Sequence, residues 1–307
     1  MTGKGANRDN TRMADPREFH VTSECELLQF LLGPPIGLSR KQAKDFLRFQ
    51  SVTVRGKTRV RHDTLLAPGD VVEIGTRRKT DAPPVERAGL RIVHIDDAIV
   101  VIDKPAGLLS MGSEREKEKT AHRILNVHLK ALAKSPRQQA FIVHRLDRET
   151  SGLMVFARSE SVQTALQRHW KDVTKCYLAI VEGTPARPSG TLRDYLAESK
   201  SFKVHRVAQG GELAITHYRV VRTLGARSLL ELTLETGRKH QIRVQLAGRG
   251  HPIIGDRNYG SPTDTAKNLA LHSCELRFLH PVSGAPMEFH SELPAPLRAL
   301  VARRSKR

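Results

Sequence analysis

The sequence predicts an α+β protein in which a mixed, mainly antiparallel sheet domain follows a small amino-terminal helix-hairpin module. Three observations carry this. From Leu90 onward, apolar stretches of strand length succeed one another with only occasional helical patterns between them. Near the start, two short helical patterns run into a glycine-centred strand-turn-strand. Between the two regions lies GTRRKTDAPPVERAG (75–89), charged, broken by Pro83-Pro84 and without periodicity, which reads as a linker.

In chain order, residues 1–19 are polar and basic, too poor in apolar side chains to pack, and read as a disordered arm. The module spans 20–75. Its first helix runs from about Glu24 to Leu32 and stops where Gly33-Pro34-Pro35 forbids continuation. The second opens at Ser39 with Gln42 three residues on, a capping-box pattern, and buries Ala43, Phe46 and Leu47. VTVRGKTRV then reads as strand-turn-strand and PGDVVEI as a further strand. After the linker at 76–89, the sheet domain spans 90–301 and a basic tail 302–307. Its strands are RIVHI, AIVVIDKP, GLMVFA, KCYLAIVEG, ELAITHYRVV, SLLELTLETG and ELRFL; its helices lie near Thr120–Ala133, Glu160–Lys171 and Lys239–Leu246.

Charge narrows the function. Lys plus Arg number 51 against 32 Asp plus Glu, a net charge of +19, which concentrates polyanions such as RNA or DNA at the surface. The second helix carries Arg40, Lys44 and Arg48 at i, i+4 and i+8 with Lys41 beside them. Between Arg40 and Arg61 there are eight basic residues and one acidic, Asp45. Solvated helix faces usually alternate sign, so this repulsion points to a phosphate backbone. Cys25, Cys176 and Cys274 are scattered and form no metal-like spacing with histidine; they read as thiols of a reducing compartment. With no apolar leader and no membrane-length apolar run, the expected location is cytoplasmic.

Four segments stand out as carriers of chemistry: IDKPAGLLS (102–110), HRLDRETSGL (144–153), KCYLAIVEG (175–183), and TGRKHQIRVQL (236–246) leading into GHPIIGDRNYG (250–260). Each residue in them also has a plain structural reading. Asp147 is a turn residue bonding its own backbone, Tyr177 a strand aromatic with its hydroxyl at the rim, Arg243 a surface charge and Asp256 a turn residue. His144 and His240 read as structural hydrogen-bonders.

In this order and spacing the four segments resemble the RluA-like pseudouridine synthases over nearly all of residues 90–295. Residues 20–75 resemble the RNA-binding module named for ribosomal small-subunit protein four. The resemblance implies a sheet domain with a central cleft that isomerises selected uridines in ribosomal or, less readily, transfer RNA, with no metal and no organic cofactor. It assigns the catalytic aspartate to Asp147, its arginine partner to Arg243 and a tyrosine stacked on the flipped uracil to Tyr177. Arg145 and Arg238 fall to RNA binding, beside Arg40, Lys44 and Arg48 of the module. A monomer is expected. A carboxylate can attack carbon only when ionised; burial opposes ionisation and a neighbouring guanidinium offsets it. The chain departs from the family pattern at MGSEREKEK (111–119), where many relatives have a histidine-proline pair, and at Gln245, where VQL replaces VHL. The alternatives are an RNA- or ribosome-associated binding protein without catalysis, and a nucleic-acid glycosidase or hydrolase using Asp147 and Arg243.

Overall fold

The computed structural model describes residues 17–48, 51–57, 60–74, 84–112, 116, 118–133, 138–260 and 268–302. The chain divides into two units, Met1–Ala82 and Pro83–Arg307.

The first unit contains β1 (Arg17–His20), β2 (Cys25–Glu26), α1 (Leu27–Leu32), α2 (Arg40–Arg48), β3 (Val52–Val54), β4 (Leu65–Leu66) and β5 (Val71–Ile74). A three-stranded antiparallel sheet runs β1-β5-β3, and β2 pairs separately with β4. Leu27 and Leu31, one turn apart on α1, are fully buried with Ala43, Val52, Val72 and Leu66. The capping box of α2 forms: Ser39 N–H donates to Gln42 Oε1 at 2.9 Å, and Gln42 N–H to Ser39 Oγ at 3.3 Å. Arg55 (φ 49) and Gly56 (φ 74) make the tight turn that follows β3, closed by paired bonds between Val54 and Lys57.

Three expectations change here. The arm gives way at Arg17, because β1 finds a ladder on β5 that composition alone could not reveal; residues 1–16 lie outside the described residues. The first helix starts only at Leu27, since Cys25 and Glu26 pair with Leu66 and Leu65. Beyond Lys57, the expected return strand falls on Thr58 and Arg59, outside the described residues, and Val60 is in no strand; the ladder partner of β3 is β5.

The second unit contains α3 (Pro84–Arg87), β6 (Arg91–Ile95), β7 (Ile99–Lys104), α4 (Ala121–Leu132), β8 (Phe141–Ile142), β9 (Ser151–Ala157), α5 (Glu160–Arg168), β10 (Thr174–Glu182), β11 (Ser189–Glu198), β12 (Val204–Val207), β13 (Glu212–Thr223), β14 (Arg227–Leu234), α6 (Gln241–Ala247), β15 (Leu271–Leu279), β16 (Pro286–His290) and α7 (Ala295–Val301). The carboxyl end of the expected linker is part of this unit, with Val85 and Leu90 buried in its core; residues 75–83 lie outside the described residues. An eleven-stranded sheet runs β12-β11-β13-β14-β10-β15-β9-β7-β6, with β16 on β15 and β8 on β9. This is a mixed, mainly antiparallel sheet. Its one parallel contact among the described residues, β15 with β9, joins the two halves through His272↔Ser151 and Ser273↔Gly152. Strands β11, β12 and β16 were missed in the sequence because arginines, acids and histidines break their alternation. Among the described residues no helix is long and apolar enough to cross a membrane.

Gly152 makes the parallel junction possible. Its φ is 113°, and a Cβ there would sit 2.2 Å from the Ser273 carbonyl oxygen. Gly152→Ala should therefore cost ~3 kcal/mol or more, read as a lowered urea midpoint; an unchanged midpoint would show that the junction yields.

Candidate active site

The segment HRLDRETSGL leaves β8, crosses the junction as a loop and becomes β9. That loop is pinned on both sides of Asp147. Ser110 Oγ donates to Leu146 O at 2.6 Å and accepts from Leu146 N–H at 3.1 Å. On the other side, Gly107 N–H donates to Arg148 O at 2.8 Å. The Lys104 ammonium, fully buried, donates to Pro105 O, Leu108 O and Arg148 O at 3.0, 2.7 and 3.2 Å. Burial draws its pKa down to about 7 against the pull of Asp147, Glu149 and Asp103. The Lys104-Pro105 turn of the IDKPAGLLS segment is thus the clamp on the Asp147 loop. His144 accepts from Val155 N–H at 3.1 Å and stacks on Trp170 at 4.3 Å.

Asp147 faces a cleft whose walls include Arg145, Tyr177, Arg238, His240 and Arg243. Arg243 projects from α6 and is almost entirely buried, its side chain 5% exposed. Its Nε and Nη2 form a fork on Asp256 at 2.8 Å each, and Nη1 alone reaches Asp147 Oδ2 at 3.3 Å. Burial would lower the Arg243 pKa, but the Asp256 fork and Asp147 hold it raised. Asp256 is itself fixed by Asn258 N–H and Tyr259 N–H at 3.0 and 3.2 Å. The structure therefore corrects two readings: Arg243 is no surface charge, and Asp256 is the main partner of Arg243 as well as a turn residue.

Sequence reasoning also undervalued His240 and Tyr259. His240 precedes α6 in the left-handed region (φ 53), with Nδ1 2.7 Å from the Tyr259 hydroxyl and Nε2 3.8 Å from Asp147 Oδ2. Tyr259 Oη accepts from Val204 N–H at 3.3 Å and shares a hydrogen bond with His240 Nδ1, which fixes the ring with Nε2 towards the carboxylate. Burial lowers the His240 pKa and favours the neutral ring. The GDRNYG turn, which supplies both Asp256 and Tyr259, was the available signal.

Tyr177 lies on β10, 8% exposed, with its pKa raised mainly by burial, so it is present as the phenol. Arg145 is exposed and has no partner among the described residues. Arg238 is engaged, donating to Glu212 at 2.6 Å and to Leu213 O at 3.1 Å. Gln245 is buried outside the cleft; it accepts from Thr216 Oγ1 and donates to Leu192 O, Ala214 O and Asp194, so VQL is a packing change. Of MGSEREKEK, residues 113–115 and 117 lie outside the described residues. Arg40 and Lys44 belong to the first unit, exposed on α2; the Arg48 side chain lies outside the described residues. Among the described residues, Glu275, Glu288 and His290 form the one grouping with metal-ligand spacing, but the Arg277 guanidinium already pairs with both glutamates.

The model of a family described as RNA pseudouridylate synthase matches residues 98–248, which contain Asp147, Tyr177 and Arg243. The chain is 35% identical to the ribosomal large subunit pseudouridine synthase D of Vibrio cholerae over 273 residues, covering 83% of this chain and 84% of the relative. The chain belongs to the RluA-like RNA pseudouridine synthases. Its enzyme class is therefore isomerase. It is 37% identical to the same-named protein of Xanthomonas campestris over 283 residues, 86% of this chain and 84% of that one. The solved structure of human RNA pseudouridylate synthase domain containing 4 is similar at TM-score 0.59 and 26% identity, covering 69% of this chain and 91% of that one. Within this pseudouridine synthase fold, both clefts walls and the Asp147 loop come from the second unit.

Burial gives the loop an acid sensitivity. It depresses the His144 pKa from 6.5 to about 3, with Lys175 adding to the effect, so the folded chain keeps this ring neutral. Between those values the unfolded chain binds the extra proton, and stability falls as pH drops through that window by up to a few kcal/mol. His144→Gln keeps an acceptor for Val155 N–H and should flatten the fall in urea midpoint between about pH 6.5 and 5. An equal slope in both proteins would place the acid sensitivity elsewhere.

Proposed function

We propose that the chain isomerises uridine in large-subunit ribosomal RNA, with Asp147 as the catalytic carboxylate. The observation that carries this is one carboxylate open to a cleft yet flanked by a buried guanidinium, on the segment that the family resemblance singles out. Asp147 Oδ2 meets Arg243 and His240, while Oδ1 carries no hydrogen bond among the described residues. That oxygen is available to substrate. The ribosomal substrate is the one named for the relatives in Vibrio cholerae and Xanthomonas campestris.

In the reaction the bond from N1 of uracil to the sugar breaks, the base turns, and C5 bonds to the sugar. The C5 hydrogen leaves as a proton, and N1 gains one. Attack of Asp147 on the sugar, attack on the base and a glycal route all use the same carboxylate. The target must first leave its stack, at a cost of a few kcal/mol. The Tyr177 ring then packs on the flipped uracil, and its protonated hydroxyl can give a proton but not take one. Arg145, unpaired at the cleft, fits RNA phosphate or the gap left by the flipped base; Arg238 reaches RNA by exchanging Glu212 for phosphate. This chemistry calls for no metal and no organic cofactor, and the enzyme acts as a cytoplasmic monomer.

The first unit is read as an RNA-binding module of the ribosomal small-subunit protein four type, using Arg40, Lys44 and Arg48. Its pairings refine the sequence reading. Arg55 is bound by Asp70 at 2.6 and 2.5 Å, and Arg61 by Asp63 at 3.0 and 2.8 Å, acids that lie just beyond or at the edge of the basic stretch. The α2 face keeps its charge.

With RNA tritiated at C5 of uracil, the wild type should release tritium and Asp147→Asn should release none while binding RNA with similar affinity. Release by the variant would remove Asp147 from the mechanism. In the full chain, Arg40→Ala with Lys44→Ala should lower the slope of log affinity against log salt by about 1.5; an unchanged slope would mean that α2 does not touch phosphate.

A further inference from the structure

The hairpin joining β11 to β12 ends in a tightly bonded turn at Ser199–Lys203. Ser199 N–H donates to Lys203 O and Phe202 N–H to Ser199 O, both at 2.9 Å. Lys203 N–H reaches Ser199 Oγ at 3.3 Å, and the hydroxyls of Ser199 and Ser201 meet at 2.8 Å. This turn holds Phe202 at φ 62, a backbone region that suits glycine or asparagine, with 75% of the residue exposed. Phe202 thus carries two costs, a left-handed backbone and a ring in water, and neither is repaid by packing. Such strain at a fixed, outward-facing side chain directs attention to binding.

The surroundings identify the occupant. Lys200 and Lys203, two residues before Phe202 and one after it, are exposed. Lys239 Nζ donates to Phe202 O at 3.2 Å and lies 5.6 Å from the ring centroid. The nearby acids are already paired, Glu198 with Lys239 and Asp194 with Arg206 and Arg249. The outward charge is positive. The turn is also continuous with the cleft wall: Lys239 precedes His240, which faces Asp147, and Lys203 Nζ lies 6.0 Å from the Tyr259 ring that hydrogen-bonds His240. A rigid aromatic face among cations, at the rim of a cleft that accepts one flipped nucleoside, matches the chemistry of single-stranded RNA, whose bases stack on rings while lysines follow the phosphates.

We propose that Phe202 is a stacking platform for an unpaired RNA base adjoining the target uridine, with Lys200 and Lys203 against the flanking phosphates. This rests on the reading of the cleft as the site of uridine isomerisation.

The probe is an in vitro transcript of large-subunit ribosomal RNA, added to full-length Asp147→Asn protein with and without Phe202→Trp. The introduced indole should be quenched on RNA binding, beyond any change in the background from Trp170. In the wild-type context, Phe202→Ala should raise KM for the transcript about tenfold, at the lower range of a base–aromatic stack. The loss should fall on KM rather than kcat, and Phe202→Trp should restore it. An indole unmoved by saturating RNA, or an unchanged KM in Phe202→Ala, overturns the proposal; that is the result expected if Phe202 instead meets a protein or a second copy of this chain. Absence of tritium release by the wild type would count against isomerisation itself, whereas the quench reads binding and decides the role of Phe202 separately.

Discussion

A single buried guanidinium organises the cleft. Placing Arg243 inside the protein forfeits hydration worth several kcal/mol, and only near-ideal geometry recovers it. The fork on Asp256 supplies that geometry, and the backbone amides of Asn258 and Tyr259 fix Asp256 in turn. The fork also governs what reaches Asp147. With Nε and Nη2 occupied, Arg243 has Nη1 left to offer, so it neighbours the Asp147 carboxylate without covering it. Were Asp256 absent, the same guanidinium would be free to clasp Asp147 with two bonds and cover its second oxygen as well.

The opposite side of Asp147 is lined by the His240 ring. A backbone amide orders the Tyr259 hydroxyl, the hydroxyl orders His240 Nδ1, and His240 Nε2 lies 3.8 Å from the carboxylate. Both arms originate in α6 and the GDRNYG turn, and the loop bearing Asp147 is clamped separately by Lys104 and Ser110. The two halves of the site are therefore built independently and meet at the carboxylate. This is preorganisation: the donors are in place before any substrate arrives.

Legibility in the sequence followed the range of the interactions. Local rules served well. Ser39 with Gln42 marks a helix start that the structure displays as a side-chain cap; Thr120 and Ser159 prove to cap α4 and α5, where only the helical patterns were legible. Arg55-Gly56 marks a turn. The strands with strong apolar alternation were readable, whereas β11 and β12 are held by neighbours that lie far along the chain. In the site, long motifs pointed to Asp147, Tyr177 and Arg243, but the division of Arg243 between two carboxylates joins residues 147, 243 and 256 and has no local signature. Phe202 was invisible for another reason: an aromatic in a polar stretch declares neither its exposure nor its backbone angle.

The parallel contact between β9 and β15 has a consequence for the birth of the protein. It pairs Ser151 with His272, residues 121 apart, and the side chains of these two are themselves hydrogen-bonded at 2.9 Å. Closing so long a loop is entropically slow, and it cannot occur until β15 has been synthesised. During translation the strand that follows Asp147 therefore waits, an apolar edge seeking a mate, through the making of β10 to β14. The nascent chain acquires its finished cleft only as its last strands emerge, so a product truncated before β15 would expose an unpaired edge of β9.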